Sequence, residues 1–120
     1  NVSFLGSIPN HNIDAVFSLS LISVSSSLEE AYGLVNIEAL REGTPLLCTK
    51  TFGSTDIIEE RYNGLFFDLN DVNTFLNSLN KILNDWDLYS LNSVNSFENR
   101  YSLKCIEEHY GRIIKILSKV

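Results

Sequence analysis

Long apolar runs, basic clusters and paired metal ligands are all missing from this sequence. No apolar stretch approaches the roughly 20 residues that cross a bilayer, which excludes a spanning helix as the organising feature. Nine Lys and Arg face fifteen Asp and Glu, leaving a net charge of −6 and no basic run. That balance excludes a phosphate-tracking nucleic-acid surface as the main role. The two cysteines, Cys48 in a strand-like run and Cys105 in a helix-like run, have no metal or redox spacing. They are expected to be free thiols in a reducing cytoplasm. His11 and His109 lie far apart, without a cysteine or acid at ligand spacing. No Ser-His-Asp arrangement and no complete phosphate-binding loop is visible. Repeats and low-complexity linkers are absent, and Asn1 to Gly6 lacks the basic start and cleavage pattern of a signal peptide.

What is present is an ordinary apolar fraction over 120 residues, enough for one domain (1–120) with a core of its own. The pattern predicts strands at Val2–Gly6, Leu21–Val24, Pro45–Thr49 and Leu65–Asp68. Helices are expected at Asn12–Ser18, from Gly33 to about Glu42 with Gly43 as its stop, and at Asp56–Arg61 after a turn over Phe52–Thr55. Asp71–Asn84 is amphipathic, with Val72, Phe75, Leu76, Leu79, Ile82 and Leu83 on its apolar side. Leu88–Phe97 is a weaker helix, and Ser102 is the N-cap of a last one over Leu103–Leu117. Alternating strands and helices of these lengths predict an α/β fold, a parallel sheet with helices on both faces. Ligands of such sheets bind beyond the C-terminal ends of the strands. The site is therefore expected among Gly6-Ser7, Ser25–Gly33, Lys50–Ser54 and the turn after Asp68.

The densest chemistry in that set is Ser25 through Leu40. A short apolar strand breaks into a polar loop, and Gly33 then opens a helix with Leu34, Ile37 and Leu40 at helical spacing. Strand, loop, glycine and helix together aim free backbone N–H groups at an anion. Glu30 and Glu38 flank the helix start with seven residues between them. Acids beside a phosphate would repel it, so they suit the uncharged hydroxyls of a sugar.

The run Glu30-Ala31-Tyr32-Gly33-Leu34-Val35-Asn36-Ile37-Glu38-Ala39-Leu40, followed by Gly43-Thr44-Pro45, resembles the paired-glutamate motif of retaining, nucleotide-sugar glycosyltransferases of GT-B fold, the glycosyl transferases group 1 (family 4). The resemblance extends to about Val120 and places the chain in the second half of the C-terminal, donor-binding domain. It implies a partial Rossmann-like sheet, and it implies that the N-terminal acceptor domain and the basic phosphate-binding residues upstream lie outside these 120 residues. Carried over by position, Glu38 would accept from the ribose hydroxyls, and Glu30 would be the catalytic carboxylate, accepting from hydroxyls of the transferred sugar and positioning its anomeric carbon. Gly33, Leu34 and Val35 would donate backbone N–H groups to the diphosphate, and Tyr32 would line the sugar pocket or the core. Gly6-Ser7-Ile8 would border the nucleobase.

The resemblance also implies the partners: a UDP- or GDP-linked sugar as donor, a glycan or lipid-linked acceptor held by the absent domain, and no metal or other cofactor. The protein would be cytoplasmic, with peripheral attachment to the inner membrane face through that domain. Ser26, Lys50, Phe52 and Thr55 depart from the family pattern, which more often has proline, aspartate, glycine and proline there. These departures leave open a non-catalytic nucleotide- or partner-binding module, and an epimerase relative acting on sugar nucleotides. Asp85-Trp86-Asp87 has the composition of a metal-binding aspartate pair, but it follows an amphipathic helix rather than ending an apolar strand. The apolar stripe Ile106, Tyr110, Ile113, Ile114 and Leu117 needs cover, so the chain could self-associate.

Overall fold

The computed structural model describes residues 1–120. Its elements are α1 (Asn10–Ser18), β1 (Ser23–Ser25), α2 (Leu34–Arg41), β2 (Leu46–Thr49), α3 (Phe52–Ile57), β3 (Gly64–Phe67), α4 (Val72–Asn84), α5 (Trp86–Arg100) and α6 (Leu103–Leu117). The three strands form one parallel sheet in the order β1-β2-β3, with Val24 opposite Leu47 and Leu47 opposite Leu65. The α/β class with a parallel sheet is as expected.

The central strand shows why helices cover both faces. Side chains alternate across a strand, so Leu46 and Cys48 point one way and Leu47 the other. Leu46 and Cys48 join Phe17, Ala39, Leu40 and Ile57 in one buried cluster; Leu47 joins Leu65, Ile82 and Tyr89 in a second. All four residues of β2 are buried, the continuous apolar run that a doubly covered parallel strand requires. The faces carry α1, α2 and α3 on one side and α4 on the other. Helix α5 serves both, through Tyr89 in one cluster and Phe97 against the other.

Four expectations need correction. Val2–Gly6 is not a strand: β1 is the sheet's outer member, nothing pairs with its free edge, and Phe4 is 96% exposed. A strand exists only where a neighbour takes its hydrogen bonds. Strand β1 runs Ser23–Ser25 rather than Leu21–Val24, because the register is set by pairing with β2 while the Trp86 indole N–H holds the Leu21 carbonyl at 2.6 Å. Phe52–Thr55 is helical rather than a turn. Thr51 Oγ1 accepts from the Ser54 amide at 3.1 Å and Ser54 Oγ accepts from the Thr51 amide at 2.8 Å, a reciprocal cap that starts α3 at Phe52. Asp56–Arg61 is mostly not helix, because the last carbonyls of α3 are taken from outside. Arg100 donates to the Asp56 carbonyl at 2.6 Å and Asn63 Nδ2 to the Ile57 carbonyl at 3.2 Å.

Helix α4 keeps its predicted span, but Ile82 is its one fully buried residue, while Val72, Leu76 and Leu83 remain exposed. Asp85 alone separates α4 from α5, so Trp86 and Asp87 lie in the first turn of a helix rather than in an interruption. No helix is long and apolar enough to cross a membrane.

Candidate functional site

The loop from Ser27 to Tyr32 is pinned to the next strand–helix unit at two points. Thr49 Oγ1 donates to the Ser27 carbonyl at 2.5 Å, and the Gly53 amide donates to the Glu30 carbonyl at 2.7 Å. Gly53 must be glycine for this contact. A Cβ there would fall 2.8 Å from the backbone N and C of Tyr32, closer than side-chain atoms approach backbone. The loop then turns at Gly33, whose φ of +81° is left-handed and favours glycine. It caps α2 without any side-chain bond, so the amides of Leu34 and Val35 have neither a backbone nor a side-chain acceptor.

Glu30 lies against this opening. Its Cδ and Oε2 lie 3.3 and 3.4 Å from the point that a Cβ on Gly33 would occupy, so the carboxylate borders the N-terminus of α2. Glu30 also lines an open cleft of about 410 Å³ with Glu29, Ala31, Leu28, Thr51 and Phe52. Glu38 is half-buried one turn into α2, on the face of Leu34. It has no cationic partner, because Arg41, three residues on, is engaged by Asp14 and Glu42. Leu34 and Val35 present exposed side chains. Tyr32 is 52% exposed and belongs to neither core cluster. The structure thus sets the Glu30 carboxylate beside Gly33 at the start of α2, with Glu38 a helical turn behind.

A larger cleft, about 490 Å³, opens on the same strand-end edge between Ser27, Thr49, Lys50, Phe66, Asp68 and Asn70. It does not contain Glu30, and neither cleft is lined by the start of α2 itself. Lys50 is held over the Phe66 ring at 5.2 Å there, a cation–π contact. The smaller cleft is lined by Glu30, whose carboxylate borders the start of α2, so it is the candidate site. Phe52, one of the departures from the family pattern, stands at its wall with the ring 84% exposed.

Sequence reasoning sets Glu29 aside, because its spacing to Glu38 does not fit the motif, and gives no individual role to Thr51, Gly53 or Asn36. The Thr51-Phe52-Gly53-Ser54 spacing was a legible capping signal. The role of Gly53 was not legible, because it depends on a backbone 21 positions away. Cys48 sits beneath the site as a buried free thiol, and Cys105 is a second free thiol in α6. Burial pushes the Cys48 thiol up to about 12, a bond from the Ser25 backbone opposes that, and the Glu30 charge adds to it. No three His, Cys, Asp or Glu side chains converge at ligating distance, and Asp85 and Asp87 fall on a helix junction.

Comparison with known proteins bears on the same residues. The family described as glycosyl transferases group 1 matches residues 1–99. A probable sucrose-phosphate synthase 3 from Arabidopsis thaliana is 32% identical over 78 residues, 65% of this chain and 7% of the plant protein. A D-inositol 3-phosphate glycosyltransferase from Corynebacterium jeikeium is 32% identical over 87 residues, 72% of this chain and 21% of that protein. The solved sucrose-phosphate synthase of Thermosynechococcus elongatus superposes with a TM-score of 0.77 at 24% identity, covering 98% of this chain and 30% of its own. That likeness supports the GT-B placement of the fold. The chain therefore spans less than a third of each of these proteins. The family match runs through the sheet, the Glu30–Glu38 loop and helix and most of α5, and on that extent the chain belongs to the glycosyl transferases group 1.

Proposed function

We propose that this chain is the donor side of a retaining glycosyltransferase, binding the diphosphate and sugar of a nucleotide sugar for transfer to a glycan or other acceptor. One observation carries the reading: the Glu30 carboxylate borders the uncapped N-terminus of α2. Free amides and the helix dipole favour a diphosphate there. As the glycosidic bond breaks, negative charge grows on the departing diphosphate, and fixed N–H donors stabilise it. The carboxylate beside them accepts from sugar hydroxyls and opposes the positive charge developing at the anomeric carbon. Glu38 offers two acceptor oxygens to the adjacent hydroxyls of the ribose. Because Gly53 locks the Glu30 backbone, these groups are set before the donor arrives.

The acceptor side has no counterpart among these residues. The 120-residue chain alone is expected to bind donor and not to transfer sugar. The test is made on the full-length protein, with UDP-, GDP- and ADP-linked glucose. Release of the nucleoside diphosphate is followed together with the anomeric configuration of the product, by proton NMR. Release of one diphosphate with retained configuration is expected. An inverted product, or no release from any of the three, overturns the reading.

A further inference from the structure

Asn36, the third residue of α2, is only 2% exposed. Its carboxamide oxygen accepts from the Cys48 thiol at 3.8 Å, but its Nδ2 has no partner. A buried donor left unmade carries the whole cost of its desolvation, which an apolar side chain of the same size would avoid. Burial keeps the Cys48 thiol protonated at neutral pH, so it donates to the amide oxygen and leaves the NH2 end on the other side. That end lies 3.0 Å from the point a Cβ on Gly33 would occupy, the same point that Glu30 Oε2 approaches to 3.4 Å. The missing side chain of Gly33 leaves one small space, and the orphaned donor and the carboxylate both border it. The nitrogen is closed to solvent, so no ligand touches it. Any effect it has on a ligand passes through Glu30 or Gly33.

We propose that Asn36 is a positioning residue, whose amide donates to one Glu30 oxygen when a donor sugar fills the cleft and leaves the other oxygen for the sugar. The proposal rests on the reading of Glu30 as the donor-side carboxylate. A carboxylate accepts several hydrogen bonds at once, so a bond from behind costs it no capacity in front. A carboxylate tethered at one oxygen also loses the rotamers in which it would miss the anomeric centre.

A double-mutant cycle in the full-length protein tests this, with release of UDP, GDP or ADP from the corresponding glucose conjugates as the readout. Asn36→Leu and Asn36→Val both remove the donor without adding a polar group. Each is expected to lower kcat by about tenfold or more with KM within about threefold, the mark of an interaction made in the transition state. In a Glu30→Gln background the same substitutions should cost less than about twofold further, because two groups acting as one unit are not additive. Unchanged kcat in both Asn36 variants overturns the proposal. So does a full additional loss in the Glu30→Gln background, which makes Asn36 independent of Glu30, or loss of the melting transition in both variants, which makes it purely structural. Absence of any diphosphate release by the unsubstituted protein instead overturns the reading of the site itself, and this inference with it.

Discussion

Helices α2 and α6 invert the usual relation between amphipathicity and burial. Helix α6 is the longer at 15 residues, has a Ser102 cap accepting from the Cys105 amide, and carries the stronger apolar stripe. None of its residues is buried. Helix α2 has eight residues and a weak stripe, yet Asn36, Ala39 and Leu40 lie in the interior against α5, α1 and the sheet. Local signals make a helix, and only neighbours bury it. In α2 the neighbours also shape the candidate site: the helix is held from behind, with its N-terminus and Glu30 in front.

The comparison is sharpened first at the site. Glu30→Gln is expected to lower transfer by the full-length protein about 10²- to 10³-fold, the scale of losing a group aimed at developing charge. Tyr110→Phe in α6 should leave the rate within about twofold if α6 takes no part in the chemistry. Initial rates at saturating donor decide, and equal losses would break the contrast.

Stability should separate the helices next. Leu40→Ala empties a fully buried position in α2 and is expected to cost about 2–5 kcal/mol, whereas Ile114→Ala on exposed α6 should stay within about 0.5 kcal/mol. Urea unfolding of each variant measures both. A comparable loss at Ile114 would mean that α6 is covered in solution, by a second copy or by the rest of the protein.

Two glycines should move in opposite directions. Gly53→Ala drives a Cβ into the Tyr32 backbone and is expected to destabilise by about 1–3 kcal/mol. Gly111 sits in α6 with nothing within 4 Å of an added Cβ, and Gly111→Ala is expected to stabilise by about 0.5–1 kcal/mol. Melting temperatures of the pair report the signs directly.

The two thiols give the smallest effect. Cys105, half-exposed in α6, should react with a thiol reagent at pH 8 in the native state, while Cys48 should react only after unfolding. The ordinary thiol value is near 9.0, and the folded value for Cys48 is raised to about 12. Above pH 9 the unfolded chain releases this proton while the folded chain keeps it. The contribution is therefore complete below about 9 and is lost as pH rises toward about 12. Tyr89 and Tyr101, also raised chiefly by burial, act in the same direction. Replacing Cys48 with alanine should flatten the alkaline fall in melting temperature without removing it.

By itself the sequence determined the α/β order, the spans of α4 and α6, and the segment where the site had to be sought. Those are local quantities. Apolar period, the Ser102 cap, the Gly43 stop and the two glutamates around Gly33 act over a few positions, so they are readable from neighbours in the chain. Tertiary structure decided the rest. Val2–Gly6 has strand composition but no partner for its hydrogen bonds, and α6 has a helix stripe but no face to meet it. The end of α3 depends on Arg100 and Asn63 taking its carbonyls. The glycine at 53 answers to the backbone of Tyr32, and the orphaned amide of Asn36 has meaning only beside Glu30 and Cys48. Each of these is a contact between residues that only folding brings together, because burial and hydrogen-bond satisfaction belong to the assembled core rather than to any one stretch of chain.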